Sequence, residues 1–467
     1  MHTEIILRYT ISKHSNNSSV DKNQKMLATE KIPKLLFKQS LPAIVGLLVM
    51  SLYNVVDTIF IGQSVGAIGI AALTIASPIQ MIIVAIAMTI GIGASSIISR
   101  ALGEKDILKA ERTLGNFFTL IILFGVSTTI FGIFFITPLE LLFGASKTII
   151  PYATEYLSIV LYGAVFLCFT AGVNNIIRAE GNAKYAMMVM ILSTVVNLIL
   201  DPIFIFGFDM GLRGAALATV IAQIIASIFA LHYFLSKKNS IQIHIKNLKL
   251  KLKITKEIIA IGSSSLTRQA AGSVEQAILN HSLGFYGGDM AIATFGILMR
   301  IFMVIMMPMF GFAQGMQPVL GYNYGAKQFQ RAKESIYYSI RSATIFSGIA
   351  FIILMLFTAE IVSVFTSDSE LIEQSIHAGK IIFLATPLIG FQIIASSVYQ
   401  TLGKAGKAII LSVLRQLIIL VPLALILPLY LGLDGIFYAF PIADVFSATI
   451  IGFMIWLEFK SLNKKIS

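Results

Sequence analysis

The chain holds 467 residues, 57% of them hydrophobic and 12% charged. A soluble domain carries about 25% charged residues and a single soluble core stops growing near about 250–300 residues, so a water-soluble globule is excluded and the bilayer is the solvent. The formal charge of +12 leaves a nucleic-acid partner to be tested, whereas a single cysteine, Cys168, excludes an intrachain disulfide and six histidines with no close pair give a metal site no support.

From the amino end, Met1 to Lys25 is polar, and Ile5-Ile6-Leu7 is too short for the apolar core of a signal peptide. The segment reads as a disordered tail, with Met26 as an alternative start. Twelve apolar runs follow, near 40–62, 68–99, 115–137, 152–178, 185–207, 213–235, 257–283, 290–319, 335–358, 374–401, 408–430 and 435–458. About 20 apolar residues suffice for one crossing, and open sheet edges cannot face lipid, so the runs are helices. The predicted protein is an all-α polytopic membrane protein of twelve transmembrane helices. Its parts are a polar tail (1–33), an amino-lobe six-helix bundle (34–236), a basic linker (237–256), a carboxyl-lobe six-helix bundle (257–460) and a second tail (461–467).

Lys and Arg alternate from one connection to the next. The amino flank carries Lys31, Lys34 and Lys38, and the even connections carry Arg100 to Arg112, Arg178 and Lys184, Lys237 to Lys256, Lys327 to Lys333, and Lys404 with Lys407. The odd connections hold only Lys147 and Arg213 as cations. Cytoplasmic loops collect Lys and Arg, so both termini are placed in the cytoplasm and the protein in the cell membrane. The positive charge is then a topology signal, not a nucleic-acid footprint, and no obligate protein partner is implied.

The halves repeat. A shift of 222 residues superposes Gly62 on Gly284, Gly66 on Gly288, Gly93 on Gly315, Gly103 on Gly325, Lys105 on Lys327, Ala110 on Ala332, Phe143 on Phe365 and Gly181 on Gly403. Six helices per copy is an even number, so the copies run the same way through the membrane, a parallel repeat about an axis along the membrane normal. Two such lobes around one cavity form a transporter architecture.

Ionisable residues deep in a span are costly and point to function. Asp57 lies fifteen residues after Pro42, and Asp201 seventeen after Lys184. At 1.5 Å per residue those are depths of about 22 and about 25 Å from the same side. Tyr53 and Asn197 each sit one turn before an acid, on its face. Thr219, six residues past Arg213 and about 9 Å below the other surface, reaches the same level. The repeat turns Asp57 into Leu279, Asn197 into Ile419, Asp201 into Leu423 and Thr219 into Pro441, so the group exists in one lobe only. Desolvation and a neighbouring carboxylate both disfavour ionisation, which suits a pair that takes up a proton. With Asn197, Thr219 and Tyr53 supplying neutral oxygens, the pair could instead hold Na⁺.

In the carboxyl lobe, Arg268, Gly272, Glu275, Gln276 and Asn280 form a polar stripe on the seventh run. Glu275 either faces the cavity, attracting a cationic substrate, or is a buried partner of Arg268 or Arg300. Asp444 and Arg415 are placed to pair between the last two runs. Met299, Met303 and Met306 belong to a methionine-rich eighth run that reads as an adaptable cavity wall or as lipid-facing filler.

Tyr53-Asn54-x-x-Asp57, Ile61-Gly62, Arg178-Ala179-Glu180-Gly181-Asn182, Asn197-x-x-x-Asp201-Pro202 and Gly214-Ala215-Ala216-x-Ala218-Thr219 resemble the multidrug and toxic compound extrusion (MATE) family. The match is nearest its bacterial MepA- and DinF-type branch and covers about Lys34 to Lys460. The resemblance implies two six-helix bundles forming a V that opens to either side in turn. It implies efflux of small amphiphilic, often cationic drugs in exchange for H⁺ or Na⁺, with no other cofactor. It also implies a cation site at Asp57, Asn197, Asp201 and Thr219 with Tyr53 beside it, and brings Asn174 or Asn175 near the cavity, although their depth sets them apart. No Asp or Glu lies between Glu373 and Asp434, so an acid in the tenth helix, as the other large branch has, is not expected. A lipid-linked sugar flippase or a single-metabolite exporter of the same superfamily remains the alternative. Catalysis is not expected, since Gly403-Lys404-Ala405-Gly406-Lys407 lacks the spacing and the Ser/Thr of a phosphate-binding loop.

Overall fold

The computed structural model describes residues 18–236 and 239–466. Residues 1–17 of the expected tail, 237–238 of the expected linker and Ser467 lie outside the described residues. The spans are α1 (Ile32–Val65), α2 (Ala67–Gly103), α3 (Ile107–Phe134), α4 in two pieces (Ile150–Tyr162 and Ala164–Ala179), α5 (Ala183–Gly207) and α6 (Gly211–Leu235) in the amino lobe. The carboxyl lobe holds α7 (252–287), α8 (289–325), α9 (Phe329–Leu356), α10 (Ser369–Thr401), α11 (Ala405–Leu431) and α12 (Leu433–Ile466). Ten helices are long and apolar enough to cross a bilayer, and the pieces of α4, bent by 60°, make an eleventh crossing. The twelfth comes from α7 and α8, which form one 74-residue run broken at Gly288. No strand occurs among the described residues, as expected where lipid leaves backbone groups no outside partner.

The repeat is written in the backbone. Gly66 and Gly288, at the α1–α2 and α7–α8 corners, have φ of 75° and 62° with ψ of −158° and −160°. That left-handed, extended corner admits glycine and few other residues. Lys105 and Lys327, non-glycine residues at repeat-related turns, share φ of 60° and 58°, and Gly181 and Gly403 share 83° and 73°.

The lobes close on each other at the ends that carry the basic connections, hereafter the basic end. A Cβ on Gly103 would overlap the carbonyl oxygen of Tyr322, and one on Gly325 would overlap that of Arg100. The shift of 222 carries the first pair onto the second, so a pseudo-two-fold axis runs through this contact. Ser96 Oγ donates to the carbonyl of Gln400 at 2.7 Å, Arg100 Nη1 to that of Leu402 at 3.0 Å, and Arg100 Nη2 to Glu257 at 3.1 Å. These cross-lobe bonds all lie at the basic end.

The expected disordered tail is corrected for its described part, because Ser18–Thr29 is a helix. Tertiary contact is the reason. Leu27 is fully buried, Arg331 donates to the carbonyls of Leu27 and Glu30 at 3.1 and 2.8 Å, and Asn323 donates to Leu27 at 3.2 Å. This amino-terminal arm is therefore held on the carboxyl lobe by groups that its own polar sequence does not announce.

Candidate functional site

In the amino lobe α1, α5 and α6 pack together and bring Tyr53, Asp57, Asn197, Asp201 and Thr219 into one cluster. Asp201 is fully buried, and Asn197 Nδ2 donates to its Oδ1 at 3.0 Å across one helical turn. Pro202 offers no N–H, and the chain passes into a π turn over Ile203–Gly207, a widening common at functional sites. The Tyr53 hydroxyl hydrogen-bonds Thr219 and lies in the field of both acids. Asp57 and Asp201 are close enough to repel each other. One oxygen of each, Asp57 Oδ1 and Asp201 Oδ2, is buried with no hydrogen-bond partner among the described residues. No ion pair among the described residues involves either acid. Two neighbouring carboxylates, Asp201 fully buried and Asp57 half-buried, repel without a cation unless a proton or a small cation is shared between them. The cluster is thus chemically fit to bind and release one.

Sequence reasoning missed two members. Tyr156 on α4, 4% exposed, stands in the field of both acids and hydrogen-bonds Gln80 of α2. The depth rule that selects Thr219 would have found Tyr156, which lies equally near the start of an inward-running helix. Gln80, in the middle of α2, left no such signal.

The carboxyl lobe presents a different arrangement. Arg415, in the π-helical stretch Leu414–Leu420 of α11, forms an ion pair with Asp444 of α12, its second contact being 3.4 Å from Nη2 to Oδ2. Gln392 of α10 donates to the Asp444 carbonyl at 3.0 Å and accepts from Ser447 at 3.1 Å. Glu275 joins this network, facing Arg415 and Asp444 and hydrogen-bonding Gln416. The expected Arg415–Asp444 pair is present. The partners considered for Glu275 are corrected, because Arg268 lies over the Phe310 ring at 6.0 Å and Arg300 is exposed. Helix rotation decides this: Glu275 turns toward α11, a direction that one helix's spacing does not give.

The remaining candidates disperse. Gln276 is exposed and Asn280 half-buried. Met303 is 55% exposed, Met306 half-buried, and Met299 packs against the carboxyl-lobe core. Asn174 donates to the Thr170 carbonyl at 3.0 Å, and Asn175 lines a small pocket with mixed polar and apolar walls at the basic end, away from the acids as its depth implied.

A MatE family model matches this chain at residues 42–203 and 266–426. Similar proteins include the multidrug export protein MepA of Staphylococcus aureus (strain MSSA476), 27% identical over 438 residues, 93% of this chain and 96% of that protein. MepA of Staphylococcus saprophyticus is 26% identical over 418 residues, 90% and 92% of the two chains. Among solved structures, the MATE multidrug transporter DinF-BH has 45% identity and a TM-score of 0.85, covering 92% of this chain and 96% of that one. A MATE transporter in a bent conformation has 28% identity and a TM-score of 0.90, covering 96% and 99%.

Proposed function

The chain belongs to the MatE family, and on that premise we propose that this multi-pass membrane protein is a secondary multidrug exporter, exchanging amphiphilic, mostly cationic drugs for H⁺ by alternating access. The observation that carries the coupling reading is the pair of fully buried Asp201 and half-buried Asp57, each with one buried, unpartnered oxygen and neither with a cation. The basic connections put the seam-closing end in the cytoplasm, so the conformation described is closed to the cytoplasm. In this cycle the outward-open protein takes a proton at Asp57/Asp201 and loses its drug. It then closes outside, opens inside, releases the proton and binds drug again. Tyr53 and Thr219 hold the acids' surroundings polar, and Asn197 fixes one oxygen of Asp201. The neutral oxygens of Asn197 and Thr219 favour Na⁺ as the second reading of the same site.

The test uses respiring inside-out vesicles carrying the full chain. A tetraphenylphosphonium-type cation is added and collapse of ΔpH is followed with and without Na⁺. Drug-dependent proton release that ignores Na⁺ is the expected result. A response that requires Na⁺ keeps the site and changes the ion, and no response to any cation overturns the drug-exchange reading.

A further inference from the structure

Arg178, in the last turn of α4, is 5% exposed. Its Nη1 donates to Gln314 of the other lobe at 2.5 Å and its Nη2 lies 3.3 Å from Met190 Sδ. Its Nε is buried with no partner among the described residues. No acid of the basic end forms an ion pair with Arg178 among the described residues, and Glu180 Oε1 is itself buried without a partner. Glu257 pairs with Arg100, Glu104 with Lys109, and Glu180 accepts from the Tyr233 hydroxyl at 2.9 Å and the Ser240 amide at 3.0 Å. The carboxyl-terminal dipole of α4 offsets part of the guanidinium charge. A buried charge lacking a counter-charge is otherwise strongly unfavourable.

Arg178 lines a pocket that straddles the pseudo-two-fold axis. Ser95, Ser96, Arg178 and Ala179 form one wall, and their repeat mates Gln317, Pro318, Gln400 and Thr401 form the other. It has room for about one particle of water size. The hydroxyl protons of Ser95 and Ser96 are spent on backbone carbonyls. The donors left include Arg178 Nε–H and the remaining hydrogens of its Nη1 and Nη2, the amide hydrogens of Gln317, and the second amide hydrogens of Asn175 and Gln400, whose first ones go to Ala171 and Ser264. A water there would satisfy Nε and leave the charge uncompensated, whereas a monatomic anion would do both.

We propose that this axial seam pocket binds a small monatomic anion of the chloride class on Arg178, and that the anion, held between walls from both lobes, stabilises the conformation closed at the basic end. Opening of that end separates the walls and releases it.

Two measurements on the full chain test this, and neither reads drug transport, so failure here is distinct from failure of the exchange reading. Crystals of the closed-seam form soaked in bromide should show an anomalous peak within hydrogen-bonding distance of Arg178 Nε. Density there without anomalous signal, a water, overturns the site. In a Cys168→Ser background, nitroxides at Lys184→Cys and Gly406→Cys report the distance across the basic end. Chloride at ten times its dissociation constant, compared with gluconate, should raise the closed-to-open ratio about elevenfold, and Arg178→Gln should remove that dependence. Equal chloride dependence in Arg178→Gln overturns the proposal. Should that variant not fold, the bromide measurement on the unaltered residue decides alone.

Discussion

The two lobes hold their intramembrane carboxylates in opposite ways, and at positions that the repeat does not relate. Asp57 and Asp201 have the neutral Tyr53, Tyr156 and Asn197 as neighbours, whereas Asp444 and Glu275 face Arg415. The shift of 222 relates Arg415 to Ser193 and Asp444 to Ala222, so neither lobe contains the other's solution. A buried pair with its cation is settled, and removing one member costs its charged hydrogen bonds. A pair without a cation is poised, because one added proton or small cation relieves it. The same backbone thus carries a structural network on one side and a titratable one on the other.

Substitutions can break that contrast. Asp201→Asn should abolish drug-dependent proton release in vesicles while leaving thermal stability in detergent unchanged or higher, since it removes an unpaired buried charge. Retained exchange in this variant would sink the amino-lobe coupling site. Asp444→Asn should do the reverse, lowering stability by about 1.5–3 kcal/mol through the lost charged hydrogen bonds to Arg415, which keeps Glu275 as its remaining counter-charge, as read on the same melting assay. A smaller effect is expected from Tyr53→Phe, which removes one hydrogen bond to Thr219 of about 0.5–1.5 kcal/mol. That should weaken exchange a few-fold without abolishing it, and full loss would make Tyr53 a member of the proton site itself.

The smallest effect lies outside the spans, at Glu180 in the α4–α5 turn. Burial raises its carboxyl from the ordinary 4.5 to about 8, against the lowering by the Ser240 amide and the Tyr233 hydroxyl. The folded state therefore holds this proton more tightly than the unfolded chain. Its contribution to stability is complete below pH 4.5 and is lost as pH rises toward 8. Melting midpoints measured between pH 5 and 8 should fall less steeply in Glu180→Gln than in the unaltered protein. Identical slopes would show that Glu180 is ionised throughout.

Much of this was legible from residue order. Apolar runs of spanning length can only be helices in lipid, so the crossings follow from hydropathy, and the offset of 222 follows because repeat-related turns need the same rare backbone conformation, as at Gly66 and Gly288. The Asp57–Asp201 cluster was readable because depth is linear in residue number along a helix. Rotation about a helix axis and the docking of separate elements were not. They turned Glu275 toward Arg415, brought Tyr156 and Gln80 to the acids, folded Ser18–Thr29 onto Arg331, and buried Arg178 on the axis between lobes. Position along a span is a local property that the chain sets by itself. Which neighbours a side chain meets depends on every other helix in the bundle, and that is settled only when both lobes pack.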